Sequence, residues 1–447
     1  QAELTVINTE RSLRNAIAQA NNIEGEDTII FADSLRGETI TLTGGELEIR
    51  DDLILEGVGQ DQLTIDAGGN NRVFRIDDGD DESAIAVTIS SLTISGGSVS
   101  DQGGGIWNQE NLTIESTTIS GNSARLRGGG INNNGTVTLT NSTVSGNSAG
   151  FGGGVENNGT LTLTSSSVSG NSAEFDGGAI ENDGRATVTN STLSGNSAGY
   201  GGGVENNGTL TLTSSTVSDN ATRFDGGGIK NDGTAILANS TVSGNSARFS
   251  GAIENNGTAT LINSTISNNS AVSIGGINNI GTATLANSIV ANNGGEMTNS
   301  QDDNSVLTLE GGNLIEDENF EEVVTSNDRV TNNGTLLIED PQLGSLQDNG
   351  GATFTQLPST DSPASSTGNN AFLSESQLGI DFTGDGDTED TLNTDQRGDG
   401  FPRVLGDTVD LGAVEFAQDT VRLTITPTQG NEEEQTAFTL TATASLP

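Results

Sequence analysis

The sequence predicts an all-β fold: a right-handed parallel β-helix with three short strands per coil, a short capping helix in front and an irregular cap behind. Three observations carry this. Asparagines recur at Asn122, Asn147, Asn171, Asn196, Asn220, Asn245 and Asn269, in alternating steps of 25 and 24 residues. A second set, from Asn108 and Asn133 through Asn157, Asn182, Asn206, Asn231 and Asn255 to Asn279, keeps the same period. Three aliphatic columns run in phase with both. With 31% apolar residues, 3% aromatics and 62 glycines, a chain without that phase would read as disordered.

Taken from the front, residues 1–37 read as an N-terminal cap. Within it, 12–21 carries apolar residues at Leu13, Ile17 and Ala20, with Ser12 as N-cap, a short amphipathic helix of a size to plug the first coil. Gln1-Ala2-Glu3-Leu4 lacks a basic and apolar leader, so any signal peptide is expected to be gone already. Residues 38–340 read as the β-helix, opening with looser strands at 39–42, 53–55, 63–65 and 73–76. In a regular coil, 153–156, Thr160–Thr164 and Ser167–Ser169 are the three strands, the second alternating strictly. Asn158-Gly159 would signal a hairpin elsewhere. Here the constant period makes it a corner. Further strands follow at 306–309 and 336–338, residues 341–416 lose the period and form the C-terminal cap, and 417–447 begin something new.

The inward columns are Ile106 to Ile277 through Val155 and Ile180, Ile114 to Leu285 through Leu163 and Val188, and Ile119 to Ile289 through Val168 and Leu193. So narrow a core needs few apolar residues per coil. The asparagine columns read as ladders, each side-chain amide bonding the next coil. An aromatic column, Phe151, Phe175, Tyr200, Phe224 and Phe249, is expected to be buried at a corner. One residue after the first inward column comes an outward one: Trp107, Asn132, Glu156, Glu181, Glu205, Lys230, Glu254 and Asn278. Its glutamates form an acidic surface stripe fit for cations or a cationic partner.

The formal charge of -45, from 61 acidic and 16 basic residues, disfavours nucleic acid and anionic membranes and favours divalent cations. No apolar run approaches the roughly 20 residues of a membrane span. There is no cysteine and no histidine, which excludes thiolate and imidazole chemistry. Hard oxygen ligands cluster at Asp381, Asp385, Asp387, Glu389 and Asp390, where calcium is the expected ion, although the EF-hand pattern fails. A second acidic run occupies 77–82.

Both ends resemble a known family. Ser12-Leu13-Arg14-Asn15-Ala16-Ile17 near the front is similar to the opening of bacterial secreted β-helix proteins with a choice-of-anchor Q region, with Arg11 where the family usually has cysteine. Asp340-Pro341-Gln342-Leu343-Gly344, Asp395-Gln396-Arg397-Gly398, Pro402-Arg403 and Asp410-Leu411-Gly412-Ala413-Val414-Glu415 resemble the signature of that region. The repeats are similar to those of polymorphic outer-membrane proteins and adhesins, and 421–447 resembles the start of a Calx-beta or immunoglobulin-like module. The resemblance implies an extracellular or cell-surface bacterial protein and supplies no catalytic residues.

The coils are nearly interchangeable, so none is assigned catalytic residues. The expected function is a structural or adhesive rod, one subunit of a longer filament or surface assembly. Val421, Leu423, Ile425, Phe438 and Leu440 are the strand residues expected to pair with another copy or an adjoining β-module. Extracellular polysaccharide is a further expected partner. The alternative is a polysaccharide lyase or glycoside hydrolase working through a stacked carboxylate pair such as Glu156 and Glu181, about 5 Å apart.

Overall fold

A computed structural model of the protein describes residues 3–6, 9–80, 84–300 and 305–416. The chain is a parallel β-solenoid of about 13 coils. In a typical coil the strands are Val155–Asn157, Thr160–Thr164 and Ser167–Ser169, and a fourth, Ser172–Ala173, joins the three expected. First strands stack into an 11-stranded sheet and fourth strands into an eight-stranded one, while second and third strands share a 25-stranded sheet. Register never slips between the regular coils: Val155 opposes Ile180, which opposes Val204. Asn158-Gly159 is a corner, since the amides of Asn158 and Thr160 donate to Asn133 and Gly135 of the coil before.

The core is the stack of aliphatic columns, buried throughout. One member is corrected. Ile289 opposes Thr265 on the outer face, and Val290 takes the inward place opposite Ile266. Corners are made by residues in the left-handed region, Asn141, Ser165 and Asn190 at φ 51°, 50° and 50°. Asparagine tolerates that conformation better than most residues. Beside them runs a hydroxyl ladder: Ser166 Oγ accepts from the Ser142 amide and donates to the Thr164 carbonyl.

Both ends are closed by helices. Helix α1, Glu10–Ala20, buries Leu13, Ala16, Ile17 and Ala20 against the first strands. Its N-cap is Thr9 rather than Ser12; Ser12 sits at N3 and returns its hydroxyl to the Thr9 amide, a capping box. The parallel ladder already includes Glu3–Val6 and Asp27–Phe31, upstream of residue 38. At the far end helix α2, Phe320–Ser326, sends Phe320 into the core with Val323 and Val324 behind it.

Residues 341–416 are irregular, as expected, but they lie lengthwise along the rod. Arg185 Nη2 donates to Gly384 O at 2.6 Å, Asn239 Nδ2 to Thr394 O at 2.8 Å, and Gly412 N to Asn287 O at 2.8 Å. Beneath this strap the outer face turns apolar: Ala238 and Ile262 meet Phe382 and Val409, and Ile289 and Leu314 meet Ala364 and Leu411. The quoted C-terminal motif residues are the knot that holds it. Asp395, Gln396, Arg403, Asp410 and Glu415 are buried; Arg397 grips Asp395 at 2.6 Å, and Arg403 donates to Asp410 O at 3.1 Å.

Candidate functional site

Two features of the regular coils could meet a ligand, and they lie on different faces. The first is the glutamate column. Glu156, Glu181, Glu205 and Glu254 alternate outward from the core, as expected, yet they are buried, at 0%, 5%, 4% and 6% exposure, and are no surface stripe. The loop before each first strand folds back over it. Gly177, at φ +67°, lies so close that a Cβ there would come 2.5 Å from Glu181 N. The aromatic column rides on these loops, half exposed instead of buried at a corner: Phe175, Phe224 and Phe249 show 48%, 38% and 42%. Its rings stack in pairs, Phe151 on Phe175 at 5.1 Å and Tyr200 on Phe224 at 4.9 Å.

Under the loops the charges are unevenly matched. Arg127 pairs with Glu156, and Lys230 Nζ lies 2.6 Å from Glu205 and also holds Asp232. Glu254 accepts from Ser250 Oγ and from Asn278 Nδ2. Glu181 has one weak donor, Asn207 Nδ2 at 3.3 Å. The Oε2 atoms of Glu156, Glu181 and Glu205 have no hydrogen-bond partner. Burial pushes the Glu156 carboxyl up to about 7 despite Arg127, and Glu205 up to about 8 despite Lys230. Burial, with Glu205 and Glu156 adding repulsion, pushes Glu181 up to about 10.

The second feature is a groove of about 1010 Å³ along the outer corner of the second and third strands, from Asn141 to Asn292. Its floor is hydroxyl and amide: Thr143, Ser167, Thr192, Ser194, Ser218 and Asn190 are among the residues that line it. Its far wall is the strap, with Leu343, Leu346, Thr353 and Phe354. Thr216 Oγ1 donates to the Phe354 carbonyl at 2.7 Å, which leaves the 55%-exposed ring free at the rim. Asp219 is the one charged residue in the lining. Sequence reasoning missed the groove because its far wall belongs to the strap, where Phe354 meets Thr216 from 138 residues further along the chain.

The asparagine ladders are built as expected. Asn147 Nδ2 donates to Asn171 Oδ1 at 3.0 Å, Asn171 to Asn196 at 3.0 Å, and the line runs on from Asn122 through Asn220 and Asn245 to Asn269. They are structural. Of the expected calcium residues, Asp387 and Asp390 come together with Glu375, one oxygen of each within 4.8 Å of the others. Asp381, Asp385 and Glu389 are not part of that group. Asp381 accepts instead from the Gly386 amide at 2.9 Å and from Arg185 at 3.3 Å. Those bonds, the Gly384 amide with them, outweigh burial and hold its carboxyl below the usual range. Glu375 is fully buried and accepts from the amides of Phe382, Thr383 and Asp390. Asp77, Asp78 and Glu110 form a second such group. Val421, Leu423, Ile425, Phe438 and Leu440 lie outside the described residues.

What fold and ladders define is a class, the parallel β-solenoids. Beyond that class, no protein family, curated protein or solved structure matches the chain.

Proposed function

We propose that the protein is an extracellular or cell-surface adhesive rod that holds a neutral polysaccharide strand in the groove beneath its strap. The observation that carries this is the groove's chemistry. In a chain of net charge -45 its lining holds a single charge, Asp219, among repeated hydroxyls and amides, with Phe354 at the rim. Ladders of donors and acceptors one coil apart match a polymer of hydroxyl-bearing units, and an exposed ring offers a face to a sugar. The resemblance of the strap's motifs to a choice-of-anchor Q region supports the surface location. The stacked glutamates line no part of the groove and are covered by their loops, so the lyase or hydrolase alternative draws no support from them.

Affinity electrophoresis of the full chain through gels containing neutral or uronate-rich polysaccharides tests the reading. Retardation by at least one neutral glycan is expected, weakened about tenfold by Phe354→Ala. Retardation by uronate polymers alone, or binding indifferent to Phe354→Ala and Thr192→Val together, would overturn it.

A further inference from the structure

Each loop over the first strand carries an apolar side chain at its crest. Phe151, Phe175, Tyr200, Phe224, Phe249 and Ile274 form one ridge through six consecutive coils, none of them buried. Backbone hydrogen bonds keep it in line: Tyr200 N donates to Phe175 O at 2.9 Å, and Phe249 N to Phe224 O at 3.0 Å. Five coil steps make the ridge roughly 24 Å long.

The rings do not offer their faces. Phe151 has Phe175 stacked on it at 5.1 Å and the Arg127 guanidinium 5.1 Å from its centre. Tyr200 has Phe224 at 4.9 Å, and Phe249 has the Arg248 guanidinium at 4.9 Å. Stacking between coils turns the faces along the rod and the edges outward, so a sugar finds no open face here. What remains is an apolar strip, on the order of 500 Å² from five part-exposed rings and their aliphatic neighbours. That is more than half of the roughly 800 Å² that a stable interface takes from one partner.

The charges beside the ridge select the occupant. Glu174 and Arg248 each precede a ring by one residue; both are exposed, and among the described residues neither has an ion pair. The middle of the ridge falls between Tyr200 and Phe224. Phe175 and Phe249 lie equally far from it, and so do Phe151 and Ile274. A second copy laid antiparallel across that midpoint brings Phe175 to Phe249. A twofold axis in the contact plane keeps each flank on its own side, so Glu174 meets Arg248, twice by symmetry. Asp176 then faces Ser250, and Gly199 and Gly201 face Arg223 and Asp225, so no like charges are opposed. The net charge of -45 works against self-association, but a Debye length of about 8 Å at physiological salt confines that repulsion to the contact, where the flanks are mixed in sign.

We propose that the ridge is a dimer interface, on which a second copy of the chain packs antiparallel about a twofold axis between Tyr200 and Phe224. Glu174 of each copy pairs with Arg248 of the other. The groove lies on a different face, so the pairing stands without the glycan reading.

Sedimentation velocity of the full chain over a dilution series at physiological salt tests it. A concentration-dependent dimer is expected, its dissociation constant raised at least tenfold by Phe175→Ser with Phe249→Ser. Glu174→Arg alone and Arg248→Glu alone should each weaken it about tenfold, and both in one chain should restore it to within about threefold. A variant that merely misfolds is not rescued by a second charge reversal. A monomer at every concentration would overturn the proposal. So would a dimer indifferent to the two serines, or one that the exchanged charges fail to restore.

Discussion

Glu181 and Asn182 are neighbours in one strand, and each heads a column repeated coil after coil. The asparagine column is complete: Asn157 Nδ2 donates to Asn182 Oδ1 at 2.7 Å, and Asn182 Nδ2 donates to Asn206 Oδ1 at 2.7 Å. The glutamate column is interrupted by orphaned oxygens and needs Arg127 and Lys230 at its ends. An amide carries a donor and an acceptor, so shifting it by one coil meets its complement. An ionised carboxylate carries only acceptors, and a shift by one coil meets another acceptor. Duplication of a repeat copies both residues equally well, whereas stacking satisfies only the self-complementary one.

The harshest way to break that contrast is Asn182→Asp, which keeps the shape and the acceptor but loses donations to Asn206, Gly184 and Thr209. At pH 8 it should cost about 3–5 kcal/mol in denaturant unfolding, the range for an uncompensated buried charge. A loss below about 1 kcal/mol would mean the ladder does not depend on its donors.

Next in size comes Asn171→Leu. It strips the acceptor from the Asn147 amide and side chain and the donor from Val144 O and Asn196 Oδ1. At about 1–3 kcal/mol for a buried group left unpaired, the unfolding midpoint should drop well below that of Thr162→Val. Thr162 faces outward and is only partly buried, so its change should stay within about 0.5 kcal/mol. Equal midpoints for the two would contradict the ladder.

The glutamate column gives an effect that is read as a slope with pH. Glu181 is raised in the fold to about 10 from an ordinary 4.5, so the folded chain binds its proton more tightly than the unfolded one. The stabilisation from that proton is therefore complete below about pH 4.5 and is lost as pH rises toward 10. Stability should fall as pH rises across this range. Glu181→Gln should flatten most of the slope. A slope unchanged in the variant would place the titrating group elsewhere.

Much of this architecture was legible because a solenoid writes its contacts into its period. The aliphatic columns and asparagine ladders needed only counting. Ile289 went astray because two aliphatic residues stand side by side there: the corner at Asn287, φ 51°, keeps its place, and the regular step from Ile266 reaches Val290. The burial of the glutamates was not legible, since alternation tells which way a side chain leaves the sheet but not what folds over it. That depends on the turn at Gly177. Two signals were there to be read. Phe320, Val323 and Val324 have the spacing of a helix face. The outer positions Thr140, Thr164, Thr189 and Thr213 give way to Ala238, Ile262 and Ala286, which marks where the packing beneath the strap turns apolar.

A stack held only by nearest neighbours can come apart one layer at a time, from whichever end is weaker. The strap changes this for the later coils. It is tied to Arg185, Asn239 and Asn287 at separate heights, so a single coil between those anchors cannot lift away alone. Among the described residues, no hydrogen bond ties the strap to the earlier coils, from Leu47–Ile49 to Val155–Asn157. The rod therefore has a half that can fray and a half that must yield as a block, and a load along its axis would be carried in shear by the splinted half.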